Sequence, residues 1–180
     1  QSRTMSIRAR LKALSLPQLF KLARLFLKNP EYVFLTARAS KKALQIATTH
    51  YGDTHHKSNP ANAFRHALWT VLLGQAVYQK TGSLREAQNW AKQFTDLHEQ
   101  LFVNRKADRT MDLHNNSFGI QALRLFAAKP QEEAVMFLQE AAKNAVQIRN
   151  AKDAEAYPNS NDQSTTIWTF CLQRSAAVDR

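Results

Sequence analysis

The sequence predicts an all-α protein, a compact bundle of about six helices with a basic amphipathic N-terminal helix. Hydrophobic residues make up 44% of the 180 positions, which is enough for the core of one domain. Only four glycines and five prolines occur, and this argues against a turn-rich all-β fold. Apolar residues also recur at helical spacing along most of the chain, which indicates helices that each bury one face.

The first two helices are predicted from their boundaries and their apolar periodicity. Ser15 can cap a helix that has Pro17 in its first turn, because proline is tolerated at the start of a helix. Apolar residues at helical intervals predict the second helix over 31–50. A polar loop follows, and we expect its two histidines, His55 and His56, to face solvent.

Four further helices are predicted from capping residues and periodicity. Asn62 is expected to cap the third helix, and Ser83 with Glu86 three residues later forms a capping box for the fourth. Pro130 opens the sixth. These four helices cover about 63–79, 83–101, 108–127 and 131–149. The β-branched and aromatic stretch 165–172 fits either a short strand or a terminal helix.

Charge divides the chain into segments of different character. The net charge is +11, and residues 1–50 hold ten basic side chains but a single acidic one, Glu31. We predict a basic amphipathic arm over 1–30, a helical core domain with a polar pocket over 31–150, and an irregular segment over 151–180. Such a charge favours an anionic partner, which is a membrane surface, a phosphate-bearing substrate or nucleic acid.

The basic arm carries leucine and phenylalanine as well as positive charge. The stretch 11–27 reads LKALSLPQLFKLARLFL, and its longest uncharged run, 13–20, is too short to span a bilayer. Lys21 and Arg24 also interrupt the apolar run that a signal peptide needs. The arm is either an interfacial helix on anionic headgroups or a core helix with a solvated basic face. With Met5 as the native start, we expect a cytoplasmic protein, peripheral at the inner membrane.

Three predicted helices carry polar residues where a bundle helix should be apolar. These stretches are 62–69 (NAFRHALW), 95–99 (TDLHE) and 111–119 (MDLHNNSFG). If the three helices are neighbours, their polar stripes meet in one pocket. The candidate catalytic residues are His66, His98, Glu99 and Asp112, and the candidate substrate-binding residues are Arg65, Trp69, Asn115 and Asn116. Gly119 in mid-helix indicates close approach of another helix or of a ligand.

This set of side chains suits acid–base or metal-assisted hydrolysis. An imidazole shifts protons near neutral pH, a carboxylate can orient that imidazole or act as the base, and amides can donate to developing negative charge. Arg65 can hold an anionic oxygen through two parallel hydrogen bonds. The same residues also suit a structural network that fixes helix registry, with every polar group paired.

No motif in the sequence defines a cofactor. A divalent metal ion is chemically compatible with a His/His/Asp set that leaves one position open for water. The spacing matches no strong metal motif, so the sequence alone leaves the metal ligands unknown. The single cysteine, Cys171, excludes multi-cysteine metal sites and an internal disulfide.

The three motifs together resemble an uncharacterised bacterial domain family with the pattern A-[DN]-A-F-R-H-A-x-W, then a His-Glu pair, then M-D-x-x-N-N-x-x-G. The resemblance covers about residues 5–126, and the basic apolar start is similar to that of members from the Bacteroidetes group. The site residues that it implies are Arg65, His66, Trp69, His98, Glu99, Asp112, Asn115, Asn116 and Gly119. Asn62 stands where an aspartate is frequent, and His114 falls on a variable position. Related domains look like parts of secreted or toxin-like proteins, which implies hydrolysis.

We expect a membrane-associated hydrolase that cleaves a lipid or lipid-linked phosphate ester, since a basic apolar arm and a polar pocket occur in one chain. One alternative is a nucleic-acid-binding or nucleic-acid-cleaving protein whose arm contacts phosphates, although the arm has few aromatic side chains for base stacking. The other alternative is a non-catalytic, membrane-docked adaptor in which the polar stripes are structural.

Overall fold

The computed structural model describes residues 14–56, 59–102, 106–148 and 170–172. These residues form six α-helices: α1 (Leu16–Lys28), α2 (Tyr32–Tyr51), α3 (Pro60–Thr81), α4 (Leu84–Leu101), α5 (Lys106–Phe126) and α6 (Gln131–Lys143). They also form a 3-10 turn (Gly52–His56) and two short strands, β1 (Val146–Ile148) and β2 (Phe170–Leu172). The predicted all-α class, a compact bundle of about six helices, is confirmed.

Helix α3 lies at the centre of the bundle and contacts α2, α4, α5 and α6. Its side chains are buried nearly all the way round, among them Phe64, Leu68 and Leu73. A helix that is surrounded by other helices needs such an apolar surface on every side. Four polar side chains of α3 are also held inside the bundle, where each of them needs a partner; they are Asn62, His66, Thr70 and Gln75.

Asn59, and not the predicted Asn62, caps α3. Oδ1 of Asn59 accepts a hydrogen bond from the backbone N–H of Asn62 at 3.0 Å, and Pro60 stands in the first turn. The prediction was wrong because Pro60 has no N–H to lose and fits the start of a helix, which places the boundary three residues earlier. Asn62 thereby becomes a buried residue of the first turn. Ser83 does cap α4, since its hydroxyl accepts from the Glu86 amide at 3.2 Å.

Two glycines allow α3 and α5 to approach closely. A Cβ atom on Gly119 would lie 2.5 Å from the carbonyl oxygen of Ala67 and 2.7 Å from Cβ of Thr70. A Cβ on Gly74 would overlap the side chain of Leu123. The close approach predicted for Gly119 is thus an approach of the helix α3. It brings the polar residues of the two helices within hydrogen-bonding range.

Helix α1 runs antiparallel along α4 and is fixed to it at both ends. Near its start, Nε2 of Gln18 donates to the carbonyl oxygen of Leu101 at 3.0 Å. Near its end, the Phe26 ring lies 6.0 Å from Trp90 and 5.8 Å from Phe94. One side of α1 therefore packs on the body of the protein. None of the helices in the described parts of the chain combines the length and apolar character that a membrane span requires.

The chain after α6 differs from the prediction. A helix was expected to reach 149, but α6 ends at Lys143 and the next regular element is β1, whose β-branched residues disfavour helix. β1 pairs in parallel with β2, with Val146 opposite Phe170, so the described part of 165–172 is a strand. The rest of the segment 151–180, like residues 1–13 of the arm, lies outside the described residues.

Candidate active site

The three polar stretches converge in the interior of the bundle. His66 of α3, Glu99 of α4 and Asp112 of α5 are exposed by only 5%, 2% and 3%. Nε2 of His66 lies 3.1 Å from Oδ1 of Asp112, and Nδ1 of the same ring lies 3.9 Å from Oε1 of Glu99. One imidazole is thus flanked by two carboxylates that come from different helices.

Nε2 of His66 faces both a donor and an acceptor. Nη2 of Arg65 lies 2.9 Å from it, and a guanidinium can only donate hydrogen bonds. This contact requires the lone pair on Nε2 and the hydrogen on Nδ1, which then points to Oδ1 of Asn116 at 3.3 Å. Oδ1 of Asp112, 3.1 Å from the same Nε2, requires a hydrogen there instead. In the tautomer that accepts from Arg65, Nε2 is the basic nitrogen, and Asp112 becomes its partner once that nitrogen is protonated.

Arg65 lies between His66 in the buried centre and the half-buried His56. Its guanidinium contacts His66 through Nη2 and Nδ1 of His56 through Nη1, at 3.3 Å. In the amide orientation that satisfies both neighbours, Asn62 accepts from Nη2 of Arg65 at 3.1 Å and donates to Oδ1 of Asp112 at 3.2 Å. Asn62 thus links the guanidinium to the carboxylate, and Arg65 covers the basic nitrogen of His66.

Glu99 is the unusual member of the centre. Neither of its carboxyl oxygens makes a hydrogen bond of good geometry among the described residues, although the Asn116 side chain lies close enough to act on the pKa of Glu99 as a hydrogen-bond donor. Burial, and then the charge of Asp112, raise the pKa of Glu99 to about 8, against smaller opposite effects that include those of Asn116 and Arg65. Desolvation disfavours the charged form of a buried acid. At neutral pH the Glu99 carboxyl therefore carries its proton.

The pKa of His66 is shifted in the opposite direction. Burial lowers the pKa of His66 well below its ordinary value of 6.5, and the positive charges of Arg65 and His98 lower it further. At neutral pH the centre thus holds a neutral imidazole and a protonated carboxyl in its resting state. Two titratable groups with pKa values displaced in opposite directions are typical of a base and an acid in one active site.

The structure places Trp69 and His98 beside the buried centre. The Trp69 ring lies 6.4 Å from the His66 ring and 4.9 Å from the His98 ring, edge to face, and its Nε1 donates to Ser40 at 2.9 Å. His98 also lies 4.7 Å from the ring of Phe102. Both side chains are half-buried, so they belong to the wall of the centre and not to its innermost contacts.

The two asparagines of α5 both lie inside the bundle. Asn115 and Asn116 are buried. Oδ1 of Asn116 faces Nδ1 of His66 and also accepts from the Thr70 hydroxyl at 3.3 Å. Thr70, one helical turn after His66, was not singled out from the sequence, because a threonine in an apolar helix gives no signal by itself.

The expectation that His55 and His56 face solvent is wrong. His55 is fully buried, and its Nε2 lies 3.1 Å from Oγ1 of Thr48 on α2. Burial, and then the charges of His56 and Arg65, lower the pKa of His55 to about 4. His56 is half-buried and touches Arg65. The 3-10 turn packs onto α2 and α3, and loop composition alone does not show such packing.

The centre contains a set of groups that could hold a divalent metal ion. His66, Glu99 and Asp112 each offer one ligand atom, and these atoms lie within 4.8 Å of one another. One imidazole nitrogen and two carboxylate oxygens suit Zn²⁺ or Mn²⁺. The His/His/Asp set considered from the sequence is corrected, because Glu99 and not His98 completes the group.

The fold and the site define an all-α domain with a histidine and two carboxylates buried between three of its helices. The chain belongs to the family DUF6973, described as a domain of unknown function, whose model matches residues 23–146. The matched region contains the whole of the buried centre. No curated protein and no solved structure matches the chain.

Proposed function

We propose that this protein is a membrane-associated hydrolase of a lipid or lipid-linked phosphate ester, and that its catalytic centre consists of His66, Glu99 and Asp112. The observation that carries the proposal is the convergence of one imidazole and two carboxyls inside the bundle, at 3.1 Å and 3.9 Å from the two ring nitrogens. Burial raises the pKa of Glu99 and lowers the pKa of His66. Groups whose pKa values are displaced in this way cluster at catalytic sites.

Arg65 has two roles in this proposal. In the resting state its guanidinium covers Nε2 of His66 at 2.9 Å. An anionic group of the substrate competes for the guanidinium, since phosphate and carboxylate groups match its paired N–H donors better than one imidazole nitrogen does. Binding of the substrate therefore draws Arg65 away and frees the basic nitrogen of His66.

The reaction then needs one water molecule and one ester bond. Nε2 of His66 accepts a proton from the water while the water oxygen attacks the ester carbon or phosphorus. The Asp112 carboxylate stabilises the imidazolium that forms. The protonated Glu99 carboxyl donates its proton to the leaving alkoxide, which becomes the free alcohol. The imidazolium then releases its Nε2 proton to solvent, and the Glu99 carboxylate takes up a proton from solvent, which restores the starting state.

The remaining predicted residues bind the substrate. Asn115 and Asn116 offer amide donors toward the negative charge that develops on the attacked group. Trp69 and His98, in the wall of the centre, contact the apolar part of the ester. Nucleic acid as substrate receives less support, because the basic arm has few aromatic side chains on which bases could stack.

The proposal also covers the location of the protein and the members of the family that it resembles. The basic arm suits the anionic cytoplasmic leaflet of the inner membrane, so we place the protein there as a peripheral protein. The match to DUF6973 shows the family. It does not test the finer resemblance to bacterial members that have the A-[DN]-A-F-R-H-A-x-W pattern and a start typical of the Bacteroidetes group. That resemblance stays a prediction.

The test is hydrolysis of a panel of phospholipids, lysophospholipids and lipid phosphates, with release of fatty acid, alcohol and phosphate measured separately. The wild type should cleave at least one class. His66→Gln and Glu99→Gln should lose that activity, whereas Asp96→Asn, a change on α4 at the half-buried partner of the exposed Lys92, should retain it. No hydrolysis by the wild type, or equal activity in His66→Gln, would overturn the proposal in favour of a structural network.

A further inference from the structure

The outer side of α1 carries a stripe of exposed apolar side chains. Leu16, Phe20 and Leu27 are 83%, 70% and 81% exposed, and their spacing places them on one face of the helix. The opposite side holds α1 on α4 through Gln18 and Phe26. The apolar stripe therefore faces outward, away from the contacts that α1 makes with α4.

Positive charge lies directly beside this stripe. Lys21, Arg24 and Lys28 are exposed, and their positions in the helix place them in a row along one edge of the apolar face. Helix α1 contains no aspartate or glutamate. Its outward surface thus offers only aliphatic, aromatic and cationic groups, without directional hydrogen-bond acceptors.

We propose that the outer face of α1 docks on an anionic lipid bilayer. Leu16, Phe20 and Leu27 enter the boundary between headgroups and acyl chains, and the basic row contacts the phosphates of the lipids. The charge complementarity favours a bilayer over a protein partner or a second copy of the chain. A second copy would place one basic row near another, whereas a bilayer satisfies both the apolar and the cationic groups at once.

Helix α1 connects the docking face to the helix that carries Glu99. On the side opposite the apolar stripe, Gln18 of α1 bonds to Leu101, which is two residues after Glu99 on α4. A docked α1 would therefore lie between the bilayer and this end of α4. The lipid nature of the substrate rests on the proposed function, while the docking itself does not.

The test is flotation of the full chain with vesicles of phosphatidylcholine alone or mixed with phosphatidylglycerol. The wild type should float only with the anionic vesicles, and less at high salt. Phe20→Ser with Leu16→Ser, and separately Lys21→Gln with Arg24→Gln, should bind at least about tenfold more weakly. Met136→Ser removes an exposed apolar side chain on α6 and should bind like the wild type.

Three results would overturn the docking proposal. They are a wild type that does not float, equal flotation of the Phe20 variant, and a dimer in solution that the Phe20 variant abolishes. Because all these residues are exposed, each variant should keep the melting temperature of the wild type. Glu99→Gln separates the two proposals, since it should float normally while it hydrolyses nothing. A wild type that cleaves a soluble short-chain ester without floating would reject the docking and keep the hydrolase.

Discussion

The imidazole of His66 and the carboxylate of Asp112 lie 3.1 Å apart, from Nε2 to Oδ1, across the closest approach of α3 and α5. The approach depends on Gly119, which packs against the turn of α3 between Ala67 and Thr70. The contact between His66 and Asp112 therefore depends on the close packing that Gly119 permits. Asp112 is placed to stabilise positive charge on His66 at the moment when the ring accepts a proton.

Asp112→Asn should lower kcat of the lipid hydrolase by roughly 10²–10⁴-fold, the usual contribution of an acid–base group. Asparagine keeps the shape of the side chain but removes the charge that stabilises the imidazolium. The measurement is kcat on the best lipid of the panel, with a thermal melt of the same sample. Asp96→Asn on α4 is the matched control, because its carboxylate pairs with Lys92 and lies outside the His66 centre. Activity at the wild-type level in Asp112→Asn would exclude the role given to Asp112.

The stability of the protein should fall as pH rises through the neutral range. The pKa of Glu99 is about 8 in the folded state and its ordinary value is 4.5, so the folded state binds more protons than the unfolded state between these values. The free energy of unfolding therefore decreases from pH 4.5 to 8. One full proton corresponds to about 1.4 kcal/mol per pH unit, which is the upper limit of this slope.

Urea unfolding between pH 6.5 and 8 isolates the contribution of Glu99. The pKa values of His55 and His66 are both lowered from 6.5, that of His55 to about 4, so these histidines make stability fall as pH falls, mainly below 6.5. Glu99→Gln should flatten the slope above pH 6.5 and should be more stable than the wild type at pH 8. If the wild type and Glu99→Gln show the same slope, Glu99 is ionised in the folded protein and cannot be the proposed acid.

Spacing along the chain predicted much of this arrangement. His66 and Asp112 stand at positions where a bundle helix should be apolar, and helical periodicity shows which side chains share the buried face. Periodicity also predicted the bundle, because each helix has one apolar side that must be covered. The roles of the site residues are still predictions, since proximity alone does not demonstrate catalysis.

Contacts between helices could not be predicted in the same way. The pairing of Arg65 with His56 depends on how the 3-10 turn folds back on α3, and the burial of His55 depends on its contact with Thr48 of α2. Gly74 was overlooked because a glycine in an apolar helix gives no indication of the Leu123 side chain that packs on it. Such contacts depend on the rotation of each helix about its axis and on the angles at which the helices cross. Neither quantity can be derived from a single sequence.

Gly119→Ala should destabilise the protein by about 1–3 kcal/mol, the usual cost of overpacking a core. The added Cβ would meet the Ala67 carbonyl oxygen at 2.5 Å, and a backbone oxygen cannot move without separating α3 from α5. In an exposed helix the same change would instead stabilise by about 1 kcal/mol. Ser117→Ala, at an exposed position of α5, is the control and should change the unfolding free energy little. An alanine variant as stable as the wild type would show that the two helices are less closely packed.

Added Zn²⁺ should stabilise the protein and inhibit it. His66, Glu99 and Asp112 can offer their ligand atoms to one ion, and binding to the folded state alone raises the melting temperature. The ion would take the lone pair of His66 and displace the proton of Glu99, so the base and the acid of the proposed reaction would both be lost. Thermal melts and activity should be measured with Zn²⁺ and again after chelation. Glu99→Gln should lose most of the thermal shift, while Asp96→Asn should keep it. Activity that appears with the metal and disappears on chelation would instead identify a metal-dependent hydrolase, and His66 and Glu99 would then be ligands rather than base and acid.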